Sequence, residues 1–148
     1  MKKILYLLLA TLPLMMSCKM ETSDNGDLDG FWHMVSVDTL SNSRQTDLSQ
    51  QKVFWSFQKD LMQLRGSIDQ EALQEFYVRF SLQGDQLRLT SLHLRDREKD
   101  DPVVDETTMY LIYPYGIWRA EETFTVIKLN ADEMILQNNE LRLRFTKM

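Results

Sequence analysis

From residue 30 to the last residue, apolar side chains recur at every second position in short blocks. The cleanest block is 76–82, where Phe76, Val78, Phe80 and Leu82 alternate with Tyr77, Arg79 and Ser81. A period of two places one set of side chains on each face of a strand. The blocks are separated by turn-forming clusters such as Gln83-Gly84-Asp85 and Asn138-Asn139. No stretch carries the 3.6-residue period of a long amphipathic helix. A chain of this kind has to bury one face of many short strands against one another.

The blocks can be read in order. Residues 31–40 form the first, ended by Ser41-Asn42-Ser43. Residues 52–58 follow, with Val53, Trp55 and Phe57 on one face, and 61–65 come next, closed by Gly66. Residues 67–75 contain better helix formers than strand formers and read as a short turn of helix or a loop. After 76–82, the block 86–94 has Leu87 and Leu89 in phase, but Leu92 and Leu94 are one residue out. A bulge near Thr90-Ser91 restores the register. Residues 95–105 are the most charged stretch and read as a solvated loop.

Residues 106–118 are aromatic-rich and interrupted by Pro114 and Gly116. Within them 110–113 is compatible with a strand, and 114–119 with a turn or short helical segment. Blocks at 123–130, 133–137 and 140–147 complete the chain, the last with Leu141, Leu143 and Phe145 on one face and Arg142, Arg144 and Thr146 on the other. About eight or nine strands at hairpin spacing make a closed up-and-down barrel or a sandwich. Closure removes the open edges at which sheets self-associate, which favours the barrel.

The N-terminus has a different grammar. Lys2 and Lys3 precede 13 residues, Ile4 to Met16, that are apolar except for Thr11 and Pro13. A membrane-spanning helix needs roughly 20 apolar residues, so residues 1–17 read as an export signal. Ser17-Cys18 closes the run, and Cys18 is the single cysteine of the 148-residue chain. The segment Leu14-Met15-Met16-Ser17-Cys18 resembles the lipobox of bacterial lipoproteins, with Met15 where Leu is usual. The resemblance implies cleavage before Cys18 and acylation of its sulfur, with palmitate-type chains anchoring the protein to the membrane. Residues 18–29 are then the acylated cysteine and a polar tether, and 30–148 the barrel domain. Glu21, Asp24 and Asp27 in the tether point weakly to the cell surface, on an outer membrane whose face is left open.

Loss of Lys2 and Lys3 takes the net charge from −5 to −7. Such a domain is a poor partner for nucleic acid. With one cysteine there is no internal disulfide, and stability rests on the core.

Gly30-Phe31-Trp32, shortly after the export signal, resembles the Gly-x-Trp signature on the first strand of lipocalins. The blocks from Tyr115 to Phe124, then Met134-Ile135-Leu136 and Leu141 to Phe145, resemble the end of the lipocalin-like domains of small bacterial lipoproteins. The fold implied is all-β, a lipocalin-like closed antiparallel barrel of about eight strands with room for a short helical segment. The resemblance also implies that Trp32 plugs the closed end beside Gly30, with an arginine of the last strand, Arg142 or Arg144, lying across its ring. Both arginines are out of phase with Leu141, Leu143 and Phe145, so this implied contact conflicts with the alternation.

Chemistry-bearing patterns are sparse. His33 and His93 stand in no metal-ligand spacing, and neither a Gly-rich phosphate loop nor a Gly-x-Ser-x-Gly elbow occurs. The expectation is a protein that is not an enzyme and uses no cofactor or metal. Trp55, Phe57, Phe76, Phe80, Tyr110, Tyr113 and Trp118 are the candidates to line a pocket for a small apolar or amphipathic ligand, against the alternative that they fill the core. The second functional reading is a solid-core accessory or inhibitor module whose loops contact another envelope or secreted protein.

Overall fold

The computed structural model describes residues 23–148. The signal, Cys18 and the first part of the tether lie outside the described residues. Ten strands form one antiparallel sheet: β1 (Gly30–Thr39), β2 (Arg44–Asp47), β3 (Lys52–Gln58), β4 (Leu61–Ile68), β5 (Glu71–Ala72), β6 (Phe76–Gln83), β7 (Gln86–Leu94), β8 (Glu122–Leu129), β9 (Glu133–Gln137) and β10 (Leu141–Lys147). The strands run in the order β10-β9-β8-β7-β6-β4-β3-β1, and β10 pairs back onto β1. Eight strands thus close a barrel, as the alternation predicts. β2 and β5 are short additions on β1 and β4.

The alternation is read out directly as burial. Val53, Trp55 and Phe57 of β3 point inward, as do Phe76, Val78 and Phe80 of β6 and Leu141, Leu143 and Phe145 of β10. In β7 the pairing with β6 slips between Tyr77 and Arg79, and Ser91 takes a φ of +51°. The extra residue turns Leu92 back into the core with Leu87 and Leu89. The bulge falls where the phase of the leucines requires it.

Three segments differ from the sequence expectation. Strand β4 runs through Gly66 to Ile68, and 71–72 pairs back on it, so 67–75 is a hairpin and not a helical turn. Gly66 permits this because a Cβ there would lie 2.0 Å from the Lys52 carbonyl oxygen of β3. Asp69 and Gln70 make the turn with positive φ. Arg44–Asp47 pairs with the upper half of β1, beyond the point where β3 leaves it. Its side chains are all exposed, so no alternation marks it. Residues 110–113 are helical: Met109–Tyr115 is a 3-10 helix.

The charged loop after β7 is tied down. Leu94 and Val104 donate backbone hydrogen bonds to Pro102 and Leu92, so 102–104 extends the wall beside the upper part of β7 where β8 has not yet begun. The 3-10 helix Met109–Tyr115 then crosses the upper end of the barrel and hands the chain to β8. At the other end, the 3-10 helix Gly26–Leu28 tucks Leu28 under the barrel, fully buried.

Candidate functional site

The two ends of the barrel are built differently. At the lower end Trp32 is fully buried. Its indole Nε1 donates to the Leu28 carbonyl at 2.8 Å. The cation over its ring is Lys147, whose Nζ lies 4.8 Å from the ring and also donates to the Asp27 carbonyl at 2.8 Å. Gly30 makes this possible: it has a φ of +118°, and a Cβ there would sit 2.9 Å from Lys147 Cε. The Gly-x-Trp pattern is therefore a space for the lysine stem followed by the ring beneath its charge.

Arg142 and Arg144 do not reach Trp32. Arg142 Nε donates to Gln137 at 2.7 Å, and Arg144 faces Asp38 at 3.5 Å, both on the outer wall. The expected arginine contact is corrected to Lys147, for the reason the alternation supplies. Lys147 shares the inward parity of Leu141, Leu143 and Phe145, and the arginines do not. Sequence reasoning missed Lys147 although that signal was present.

The upper end is the candidate site, because the aromatic-rich segment lies there. Trp55, Phe57, Phe76 and Phe80 face inward and meet other side chains. Trp55 meets Phe145 at a tilt at 5.0 Å and Phe124 edge-on at 6.1 Å. Phe57 meets Phe80 edge-on at 5.0 Å, and Phe76 meets Tyr115 edge-on at 5.9 Å. The interior is packed with these rings and with Met34, Met62 and the inward leucines.

The Met109–Tyr115 helix seals that packing from above. Its period of three puts Met109, Ile112 and Tyr115 inward and leaves Tyr110 and Tyr113 outward. Ile112, Tyr115 and Ile117 are fully buried. Trp55 Nε1 donates to the Tyr115 carbonyl at 3.2 Å, and the Tyr115 hydroxyl donates to the Gln74 carbonyl at 2.9 Å. Burial, and secondarily the negative charge of Glu75, push the Tyr115 phenol above the usual tyrosine value. The helix stops at Gly116, with a φ of +77°, where a Cβ would lie 2.8 Å from Leu143. The positive φ and the nearby Leu143 side chain both favour glycine at this point.

The other pocket candidates are on the outside of this cap. Tyr110 is 61 % exposed, Tyr113 46 % and Trp118 38 %. The seven aromatics therefore fall into two sets: four inside the barrel, and three exposed, with Tyr110 and Tyr113 on the cap and Trp118 just after it. Beside the cap, Arg119 pairs with Glu140 at 2.7 Å and with the buried Glu122 at 3.4 Å, which holds the return strand to the turn before β10. No group of three or more His, Cys, Asp or Glu side chains able to hold a metal ion occurs among the described residues.

A family model described as a lipocalin-like domain matches residues 13–148. Two solved structures resemble the chain. One is a lipocalin-like protein from Bacteroides uniformis, 21 % identical over 83 % of this chain and 100 % of that one, with a TM-score of 0.62. The other is an uncharacterized protein from Bacteroides eggerthii, 18 % identical over 81 % of this chain and 98 % of that one, with a TM-score of 0.55. At these identities the likeness is one of fold. No curated protein matches the chain.

Proposed function

The chain belongs to the lipocalin-like family, and from that premise we propose that it is a lipid-anchored, non-catalytic envelope module whose working surface is the outside of its cap. The observation that carries this reading is the division of the aromatics. The rings that would line a ligand cavity are spent on packing, while Tyr110, Tyr113 and Trp118 face solvent on the sealing segment. Exposed tyrosine and tryptophan side chains on a rigid support are the residues that anchor protein interfaces. The partner that fits is an envelope or secreted protein with an apolar pocket to receive them.

The geometry of attachment supports the same reading. Asn25 donates to the Lys59 carbonyl at 2.7 Å and to Asp29 at 2.8 Å, which fixes the start of the domain at the end opposite the cap. Ser23 lies five positions after Cys18, a reach of about 18 Å when fully extended. An acylated Cys18 then holds the Trp32 end toward an outer-membrane leaflet and turns the cap away from it. The test is a photocrosslinking residue in place of Tyr110, in intact cells. One recurring protein adduct, lost on Tyr113→Ala with Trp118→Ala, is expected. Absence of any adduct overturns the interface. Separately, Cys18→Ser is expected to move the chain from the detergent phase to the aqueous phase, and retention in the detergent phase overturns the anchor.

A second reading follows from the closed eight-stranded barrel, an architecture consistent with small-molecule binding. A small apolar or amphipathic ligand enters this barrel only by displacing the cap, because Ile112, Tyr115 and Ile117 occupy the mouth. Native mass spectrometry of the purified chain distinguishes the two: a stoichiometric copurifying ligand favours the second.

A further inference from the structure

Asn25 is the one asparagine of the chain that is followed by glycine. In such a pair no side chain on the second residue shields its backbone nitrogen, so the main chain can attack the asparagine amide. The fold puts this pair at the junction between the tether and the barrel, where Asn25 ties the lower end closed.

The tie is an amide that donates. Asn25 Nδ2 lies 2.6 Å from Ser23 Oγ, 2.8 Å from Asp29 Oδ1 and 2.7 Å from the Lys59 carbonyl in the turn between β3 and β4. A carboxylate and a carbonyl only accept, so the amide nitrogen has to face them. The Asn25 carbonyl in turn accepts from the Leu28 N–H at 3.2 Å. That turn sets the buried Leu28 under the barrel, where its carbonyl receives the Trp32 indole N–H. Beside it the Asp27 carbonyl receives Lys147 Nζ. One side chain thus holds the segment on which the closed end is built.

The same contacts keep the reactive pair apart. With a ψ of −3°, Asn25 turns the Gly26 nitrogen toward its own backbone nitrogen and away from its Cβ. Attack on Cγ needs a rotation that breaks the turn to Leu28 and draws the amide away from Lys59. The pair is inert while this clasp is closed and reactive once it opens. Gly26 is exposed, and a Cβ there would meet nothing within 4 Å, so no packing at Gly26 resists the rotation.

We propose that Asn25 is a modification site, a one-way chemical release of the tether from the barrel. When the clasp opens, the Gly26 nitrogen loses its proton to solvent and bonds to Asn25 Cγ, and Nδ2 leaves as ammonia. Water then opens the ring at either carbonyl. One product is aspartate at position 25. The other is isoaspartate, in which the main chain runs through the former side chain and the former backbone carbonyl becomes a free carboxylate. In both, a carboxylate replaces the donating amide. It has no N–H for Lys59 and is repelled by Asp29, so the clasp does not close again. The site rests on neither the cap surface nor acylation of Cys18.

The test is ageing of the purified full chain in detergent at mildly alkaline pH. Peptide mapping separates aspartate and isoaspartate from asparagine, and hydrogen exchange compares fresh and aged chains. Asn25 is expected to convert before Asn42, Asn130, Asn138 and Asn139. It is expected to convert at least about tenfold more slowly than in the chain unfolded in urea, because only the open clasp reacts. Asp29→Ala, which removes one acceptor, is expected to speed conversion about fivefold. The converted chain is expected to exchange faster over residues 25–32. Asn25→Gln, which keeps the donors on a stem that disfavours ring closure, is expected to exchange alike before and after ageing. Conversion as fast in the folded chain as in the unfolded one overturns the proposal, as does a rate indifferent to Asp29→Ala. So does an Asn25 that outlasts the other asparagines, or a converted chain that exchanges as the fresh one does.

Discussion

Trp32 shows how one residue closes a barrel. Its ring is sandwiched between the barrel packing and the Lys147 stem, and its only polar atom is satisfied by Leu28. Trp32→Ala is expected to cost about 3–5 kcal/mol, since a large buried ring leaves a cavity its neighbours fill only in part. Lys147→Ala is expected to cost about 1 kcal/mol through the lost cation–π contact. Arg142→Ala and Arg144→Ala, partners of exposed or half-buried groups, are expected to cost less than about 1 kcal/mol. Denaturant unfolding of the four variants checks the ranking, and a double variant of Trp32 and Lys147 less destabilised than the sum of the singles confirms that the two act together. Equal losses for Lys147 and the arginines would sink the assignment. The sequence contained the answer in parity: a residue two beyond Phe145 on a regular strand must face inward. The family likeness points to an arginine, and the strand phase points past it.

At the scale of elements, the alternation predicted a block for each of the eight barrel strands, the inward faces of β3, β6, β7 and β10, and the bulge. The bulge was legible because two leucine pairs of opposite phase cannot both be buried without an extra residue. Deleting Ser91 is expected to turn Leu92 outward and abolish the cooperative thermal transition. A deletion variant that melts like the parent would show that the upper half of β7 needs no register. The cap was not legible by the same rule, because a segment crossing a barrel mouth has no sheet face to alternate on. Its order is a period of three, with Met109, Ile112 and Tyr115 facing in. Titration of Tyr115 gives a second test. Its folded pKa lies above the unfolded value, so the folded chain holds the phenolic proton more tightly than the unfolded chain does. That contribution is complete below the unfolded tyrosine value of about 10 and is lost progressively as pH rises above it. Tyr115→Phe is expected to be about 1 kcal/mol less stable at neutral pH, through loss of the bond to Gln74. It is also expected to lose less stability than the parent between neutral pH and pH about 11. Parallel losses in the two proteins would show that the cap does not hold the phenol.

For the whole molecule the open matter in the sequence was volume. Alternation tells which side chains face the interior but not whether they meet. An eight-stranded barrel is just wide enough for its side chains to fill it or for one small ligand to replace some of them, and both cases print the same pattern. What decides is the meeting of large rings at the centre: Trp55 against Phe145 and Phe124, Phe57 against Phe80, Phe76 against Tyr115. The three tryptophans report on this directly, since Trp32 and Trp55 are buried at the closed end and under the cap, and Trp118 is on the surface. Iodide, which does not penetrate a packed interior, is expected to quench only the Trp118 part of the emission. Trp118→Phe is expected to shift the emission maximum to the blue and leave it nearly unquenched. Were the mouth open to solvent, Trp55 would lie beneath it, and the same variant would retain quenching. A ligand that displaced the cap would then change Trp55 emission on binding, whereas a partner docking on the outside would change only Trp118. One spectroscopic measurement therefore separates a hollow vessel from a solid support.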